Sequence, residues 1–265
     1  MTAGKLLVRG MLVGVVAAAL AFAFASTLGE AQIDGAIAFE NAHATAHTHT
    51  DTTEPEHAGA AEEEPVSRAV QSTVGLGVAL LLYGTALGGI FAMAFAFCYG
   101  RVGALQSRTT ALLVGGLGFI AMFLVPFVKY PGNPPAVGDP DTIGRRTALY
   151  FVMMAVSVLA AAGSVLVARS LAARLGNWNA VLVAAGGYVA VVALAGLLMP
   201  AVNEMPADFP ATLLWRFRLA SAGVQLVLWG TLGLLFGALT NRAEHQRAAR
   251  QAMPDRLART ARTAV

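Results

Sequence analysis

Residues 74–99 read VGLGVALLLYGTALGGIFAMAFAFCY, a run without a single Asp, Glu, Lys, Arg or His. A hydrocarbon core about 30 Å thick is crossed by ~20 apolar residues of helix, so this stretch is long enough to span a bilayer with some tilt. Five more runs share its character: 10–28, 111–128, 147–168, 180–199 and 219–239. In lipid the backbone must satisfy its own hydrogen bonds, and uninterrupted helices do so. The pattern predicts an all-α polytopic membrane bundle of six spans over residues 1–240, followed by a basic tail over 241–265. Composition agrees, with 57% hydrophobic and only 12% charged residues and a mean hydropathy of +0.64. That charged share is about half that of an ordinary soluble domain, which excludes a soluble globular chain and, for most of its length, a disordered one. The one cysteine, Cys98, permits neither a disulfide framework nor a cysteine zinc site. Lysine stands only at Lys5 and Lys129, so a GxxxxGK[ST] phosphate loop is absent and ATP hydrolysis by this chain is disfavoured.

The basic residues set an orientation. If the spans alternate, Lys5, Arg9, Arg101, Arg108, Arg169, Arg174 and the six arginines between Arg242 and Arg262 share one side, 12 of the 18 basic residues. Against them stand only Glu244 and Asp255, while 13 of the 15 acidic residues fall on the other side. The positive-inside rule then places both termini in the cytoplasm, in the inner membrane of the cell, with a strongly negative outer face. Such a face concentrates cations. The arginine-rich end is explained by topology and anionic lipid, so nucleic acid is not an expected partner.

The first run also has the features of a cleaved secretory signal, with Lys5 and Arg9 ahead of an apolar stretch and small residues at Ala21-Phe22-Ala23. Its length, reaching Leu28, favours a retained span. Gly10/Gly14, Gly84/Gly88 and Gly233/Gly237 have the spacing that lets helix backbones approach closely, read here as packing within one chain rather than as a dimer motif.

The connection 29–72 is a composition island, holding nine acidic residues and four of the five histidines. His43, His47, His49 and His57 are interleaved with Asp51, Glu54 and Glu56, among Ala, Thr, Gly and Pro residues that build no core. A flexible tract is expected. Neutral imidazole suits divalent transition metals and carboxylates add charge attraction, so these seven residues are the candidate metal ligands, in a weak and adaptable site.

Two further outer connections resemble each other. Tyr130-Pro131-Gly132-Asn133-Pro134-Pro135-Ala136-Val137-Gly138-Asp139-Pro140-Asp141 leads to Arg145-Arg146, and Pro200-Ala201-Val202-Asn203-Glu204-Met205-Pro206-Ala207-Asp208 leads to Arg216-Phe217-Arg218. Their prolines forbid continuous helix, so the chain must turn. The shared order of Pro-x-Val, proline, acid and two arginines, each after a helix with a Gly-Gly pair, suggests a repeated hairpin. Arg145, Arg146, Arg216 and Arg218 are read as structural ion-pair partners of the acids. A second reading makes Asp139, Asp141, Asn203, Glu204 and Asp208 an outer cation mouth. Within the spans, Met93, Met122, Met153, Met154 and Met199 offer sulfur and Ser157, Ser164, Ser221 and Gln225 offer oxygen, but packing accounts for each. No nucleophile and base can be paired there, so no enzyme is expected.

Taken together, the His- and acid-rich connection after the first span, the Tyr130–Pro135 turn leading to Arg145-Arg146, and the Asn203-Glu204-Met205-Pro206 segment leading to Arg216-Phe217-Arg218 resemble the CbtA family over essentially the whole chain. The resemblance implies a proposed cobalt transporter subunit of the inner membrane, linked to cobalamin synthesis. It also implies a small single-span, His-bearing companion, CbtB. Divalent metal uptake, with Co2+ as the transported or loosely bound ion and no resident cofactor, is the leading expectation. The alternative is a non-transporting metal-sensing or assembly scaffold.

The orientation is directly testable. With Cys98→Ser and His49→Cys combined, a membrane-impermeant maleimide should label the protein in intact cells; labelling only after lysis would invert the topology.

Overall fold

A computed structural model of the chain describes residues 2–48, 67–101, 103–134, 137–138, 140–206 and 208–263. All regular structure among them is helical. Five helices are long and apolar enough to cross a membrane: α1 (Ala3–Ala42), α2 (Arg68–Cys98), α3 (Ser107–Lys129), α4 (Ile143–Leu198) and α5 (Ala211–Ala252).

The 56 residues of α4 are not one rod. At 1.5 Å per residue a straight helix of that length would hold its ends ~84 Å apart. Yet Thr142, just before α4, donates to the Glu204 carboxylate beyond its far end at 2.8 Å. Midway, the Ser157 and Tyr188 hydroxyls are hydrogen-bonded at 2.8 Å. The helix therefore doubles back. The reversal falls at Gly176, whose φ of 75° and ψ of 160° break the helical backbone in a region that glycine adopts without steric strain. Five helices thus make six passes, and the two arms of α4 correspond to the expected spans 147–168 and 180–199.

Small residues set how closely the helices approach. Along α1 and α2 a side chain at Gly10 would collide with the Gly88 carbonyl, and one at Gly14 with that of Gly84. The pairing of 10 with 88 and 14 with 84 makes the helices antiparallel, with backbone against backbone. Ala17, Ala18 and Ala21 continue the seam and are almost fully buried. A second seam joins α3 to α5, where Gly115 faces Gly233 and Gly237 faces Ala111 and Arg108. All three glycine pairs therefore pack within the chain, as close approach of small residues favours. Between the seams lies an aromatic cluster in which Phe236 meets Phe91 and Phe95 edge to face, at 5.3 and 5.0 Å. In α3, the wide turn Phe119–Leu124 precedes Pro126 and accommodates the missing N–H and the bulk of its ring.

Contacts also sort the molecule into two ends. Arg9 donates to Thr240 at 3.1 Å, and Arg108 packs against Gly237, so both terminal segments and the α2–α3 turn share a basic end. The opposite end holds the two proline-rich connections. The arms of α4 are the least enclosed part, with Leu159 73% and Leu197 83% exposed, a surface suited to hydrocarbon rather than water.

One expectation needs correction. The first helix does not give way to a flexible tract at residue 29 but continues through Ala42, with helical backbone to Thr48. Residues 30–48 lack proline and are rich in alanine, a strong helix former. Their apolar residues have a partner as well, since Ala36 and Phe39 pack against Val137, Met205, Phe209 and Leu213. Helical backbone likewise runs on past residue 241, where the basic tail was expected to begin, as far as Thr263.

Replacing Gly14 or Gly88 with leucine should separate α1 from α2. Overpacking of this kind costs about 1–3 kcal/mol or more. A lower melting temperature in detergent is the expected result, whereas Gly116→Leu, at a position with open space around it, should leave the melt unchanged.

Candidate functional site

At the proline-rich end the two resembling connections face each other across a cavity of about 330 Å³. Each contributes an arginine that reaches the other. Arg146, after the first connection, lies 3.3 Å from the Glu204 carboxylate of the second. Arg218, after the second, donates to the Gly132 carbonyl at 3.4 Å and to Asn133 Oδ1 at 3.3 Å in the first. The clasp is reciprocal. Glu204 also accepts from Thr142, and the Tyr130 hydroxyl donates to the Pro200 carbonyl at 2.8 Å.

The local sequence explains these positions. Prolines prevent both segments from continuing the preceding helices. Gly138, at φ 112°, adopts a left-handed backbone and leaves room for the Arg146 guanidinium, which any side chain there would strike. Burial holds the Tyr130 phenol above its ordinary range, with Arg145 pulling the other way, so the hydroxyl remains a proton donor through neutral pH.

The structure distributes the other expected site residues unevenly. Asp139 lies outside the described residues. Asp141, Asn203 and Asp208 are exposed, as are Arg145 and Arg216. Among the described residues, no three His, Cys, Asp or Glu side chains come together as a metal-holding group. Glu204 pairs with Arg146 and accepts from Thr142. His43 and His47 fall on the helical backbone that continues α1, while His49, Asp51, Glu54, Glu56 and His57 lie outside the described residues.

Arg68 was not singled out in the sequence, although it is the one basic residue in an acidic tract. It pairs with Glu30, and with Asp34 at 3.2 Å, tying the start of α2 to the outer part of α1. The helix that carries Glu30 and Asp34 also packs Ala36 and Phe39 in the cluster that Met205 of the cavity wall joins, so the clasp stands at the end of the molecule that carries the cavity. Its solitary charge was the available signal. Deeper in, Tyr83 donates to Gln225 Oε1 at 3.4 Å, linking α2 to α5.

A family model described as "Probable cobalt transporter subunit (CbtA)" matches residues 3–241. No curated protein and no solved structure matches the chain.

The clasp predicts energetic coupling. In a double-mutant cycle of Arg146→Gln and Glu204→Gln, a coupling of about 1 kcal/mol is expected for a half-buried pair. Thermal or denaturant unfolding in detergent measures it, and additive effects would show that the contact contributes nothing.

Proposed function

The chain belongs to the CbtA family of probable cobalt transporter subunits, and from that premise we propose that it moves a divalent metal ion, Co2+ foremost, across the inner membrane toward the cytoplasm. The family is one of transporter subunits and not of enzymes, and the word subunit implies a complex. A small single-span CbtB-type protein is the companion we assign to it.

In this reading the segment bearing His43, His47, His49 and His57, with Asp51, Glu54 and Glu56, captures the ion outside the cell. The observation that supports it is the Arg68 clasp, because it ties the start of α2, where that segment ends, to Glu30 and Asp34 on the outer part of α1. The exposed Asp141 and Asp208, with Asp139, add a long-range field that draws cations to the same end. They act at a distance and not as a ligand cage. Both termini and the arginine-rich end face the cytoplasm, as the basic residues direct.

Voltage alone supplies a driving force. A doubly charged ion entering across ~100 mV gains about 4.6 kcal/mol, enough for accumulation on the order of a thousandfold. Selectivity is the harder requirement, since imidazole and carboxylate bind Ni, Cu and Zn at least as well as Co.

Reconstituted flux of Co2+, Ni2+ and Zn2+ into liposomes, with and without the companion, tests the assignment; absence of flux in both would favour a metal-sensing or assembly scaffold. Replacing all four of these histidines with alanine should raise the Co2+ concentration needed for half-maximal uptake several-fold, and unchanged uptake at limiting metal would remove the capture role. Imidazole binds metal only when deprotonated, so capture should weaken as pH falls below about 6. Titration of the full chain with Co2+ at pH 7.5 and 5.5 reads this directly.

A further inference from the structure

The chemistry of the cavity between the two proline-rich connections does not match that of a transported cation. Its described lining holds neither histidine nor cysteine, and Glu204 is its one carboxylate. That carboxylate already faces Arg146 and accepts from Thr142. A hard divalent cation takes six to eight oxygen ligands, several of them anionic, and a transition metal favours imidazole or thiolate. Two guanidinium groups in the wall oppose either ion.

The same wall suits an anion. Arg218 lines the cavity, and among the described residues its contacts to Gly132 and Asn133 account for two of five N–H donors. The Asn133 contact is made through the amide oxygen, which leaves the –NH2 of that amide as a donor. Thr147 and Tyr150 add hydroxyl groups. A planar guanidinium anchored through Nε and Nη2 on two neighbouring acceptors, with neutral donors around it, matches with its remaining N–H groups the paired oxygens of a carboxylate or phosphate. The volume, about 330 Å³, is at the small end of pockets for organic ligands.

We propose that this cavity binds the oxyanion group of a small carboxylate or phosphate ligand, with Arg218 as its principal contact, and that it is not a site for bare metal. Two sources can supply such a group: a soluble anion from outside the cell, or the headgroup of an anionic lipid at the membrane surface. The inference stands on the cavity alone, so it survives or fails independently of metal transport.

The test uses the full chain in nanodiscs of phosphatidylcholine, without metal. Citrate and inorganic phosphate are titrated by calorimetry, in parallel with discs containing phosphatidylglycerol. Saturable binding of either soluble anion that weakens at least tenfold in Arg218→Gln supports a soluble ligand. An Arg218-dependent rise in melting temperature with phosphatidylglycerol, without binding of the soluble anions, assigns the site to a headgroup. Arg218→Lys keeps the charge without the fork and should show an intermediate loss; it serves as the readout if Arg218→Gln does not fold. No Arg218-dependent effect of citrate, phosphate or phosphatidylglycerol would overturn the proposal. So would Co2+ binding in the absence of anion that Glu204→Gln abolishes.

Discussion

The fold depends on two helices touching through their backbones. In a bilayer there is no hydrophobic gain from bringing apolar helices together, because lipid is as apolar as leucine, so association depends on close packing. The Gly10/Gly14 and Gly84/Gly88 seam supplies it, placing α1 directly against α2 where any larger residue would collide with a carbonyl. It also makes α1 an integral part of the bundle: removal of the first helix as a signal would take away one face of the seam, along with the buried residues Val13, Ala17 and Ala21. The α3–α5 seam repeats the device and encloses the Phe91, Phe95 and Phe236 cluster.

With the bundle fixed in this way, the outer end becomes a place where polar chemistry can be held. The reversal at Gly176 returns α4 to the side from which it started, and only for that reason can Thr142 and Arg146 meet Glu204. The reciprocal reach of Arg146 and Arg218 then locks the two connections to each other. Each arginine is half-buried and each is held by groups from the opposite segment. An arrangement in which each motif completes the other is what a duplicated hairpin would produce, and it gathers two guanidinium groups in the wall of one cavity.

That separation of charge organises the functional reading. Among the described residues Asp141 and Asp208 are exposed at the outer end, while Arg146 and Arg218 line the cavity. For this member of the CbtA family two chemistries are proposed at one end, a cation-gathering exterior and an anion-accepting recess. The extension of α1 and the Arg68 clasp stand at the same end of the molecule as the cavity.

The sequence determined what depends on composition and spacing. Charge-free runs near the bilayer thickness fixed the number of passes and the helical class, glycine spacing marked the close contacts, and the proline-rich segments with their arginines marked the turns. It also contained the two matching motifs that face each other across the cavity. Tertiary structure decided what depends on partners distant along the chain. Residues 30–48 read as a loop because polar and small residues show no strong periodicity, yet packing of Ala36 and Phe39 on Phe209 and Leu213 gives that helix a surface to lie on. Glu204 could be read as a cation ligand or as an arginine partner from its neighbours in sequence. The choice came from the fold of α4, which set Arg146 beside it, because an ion pair is decided by proximity in space and local sequence carries no measure of that.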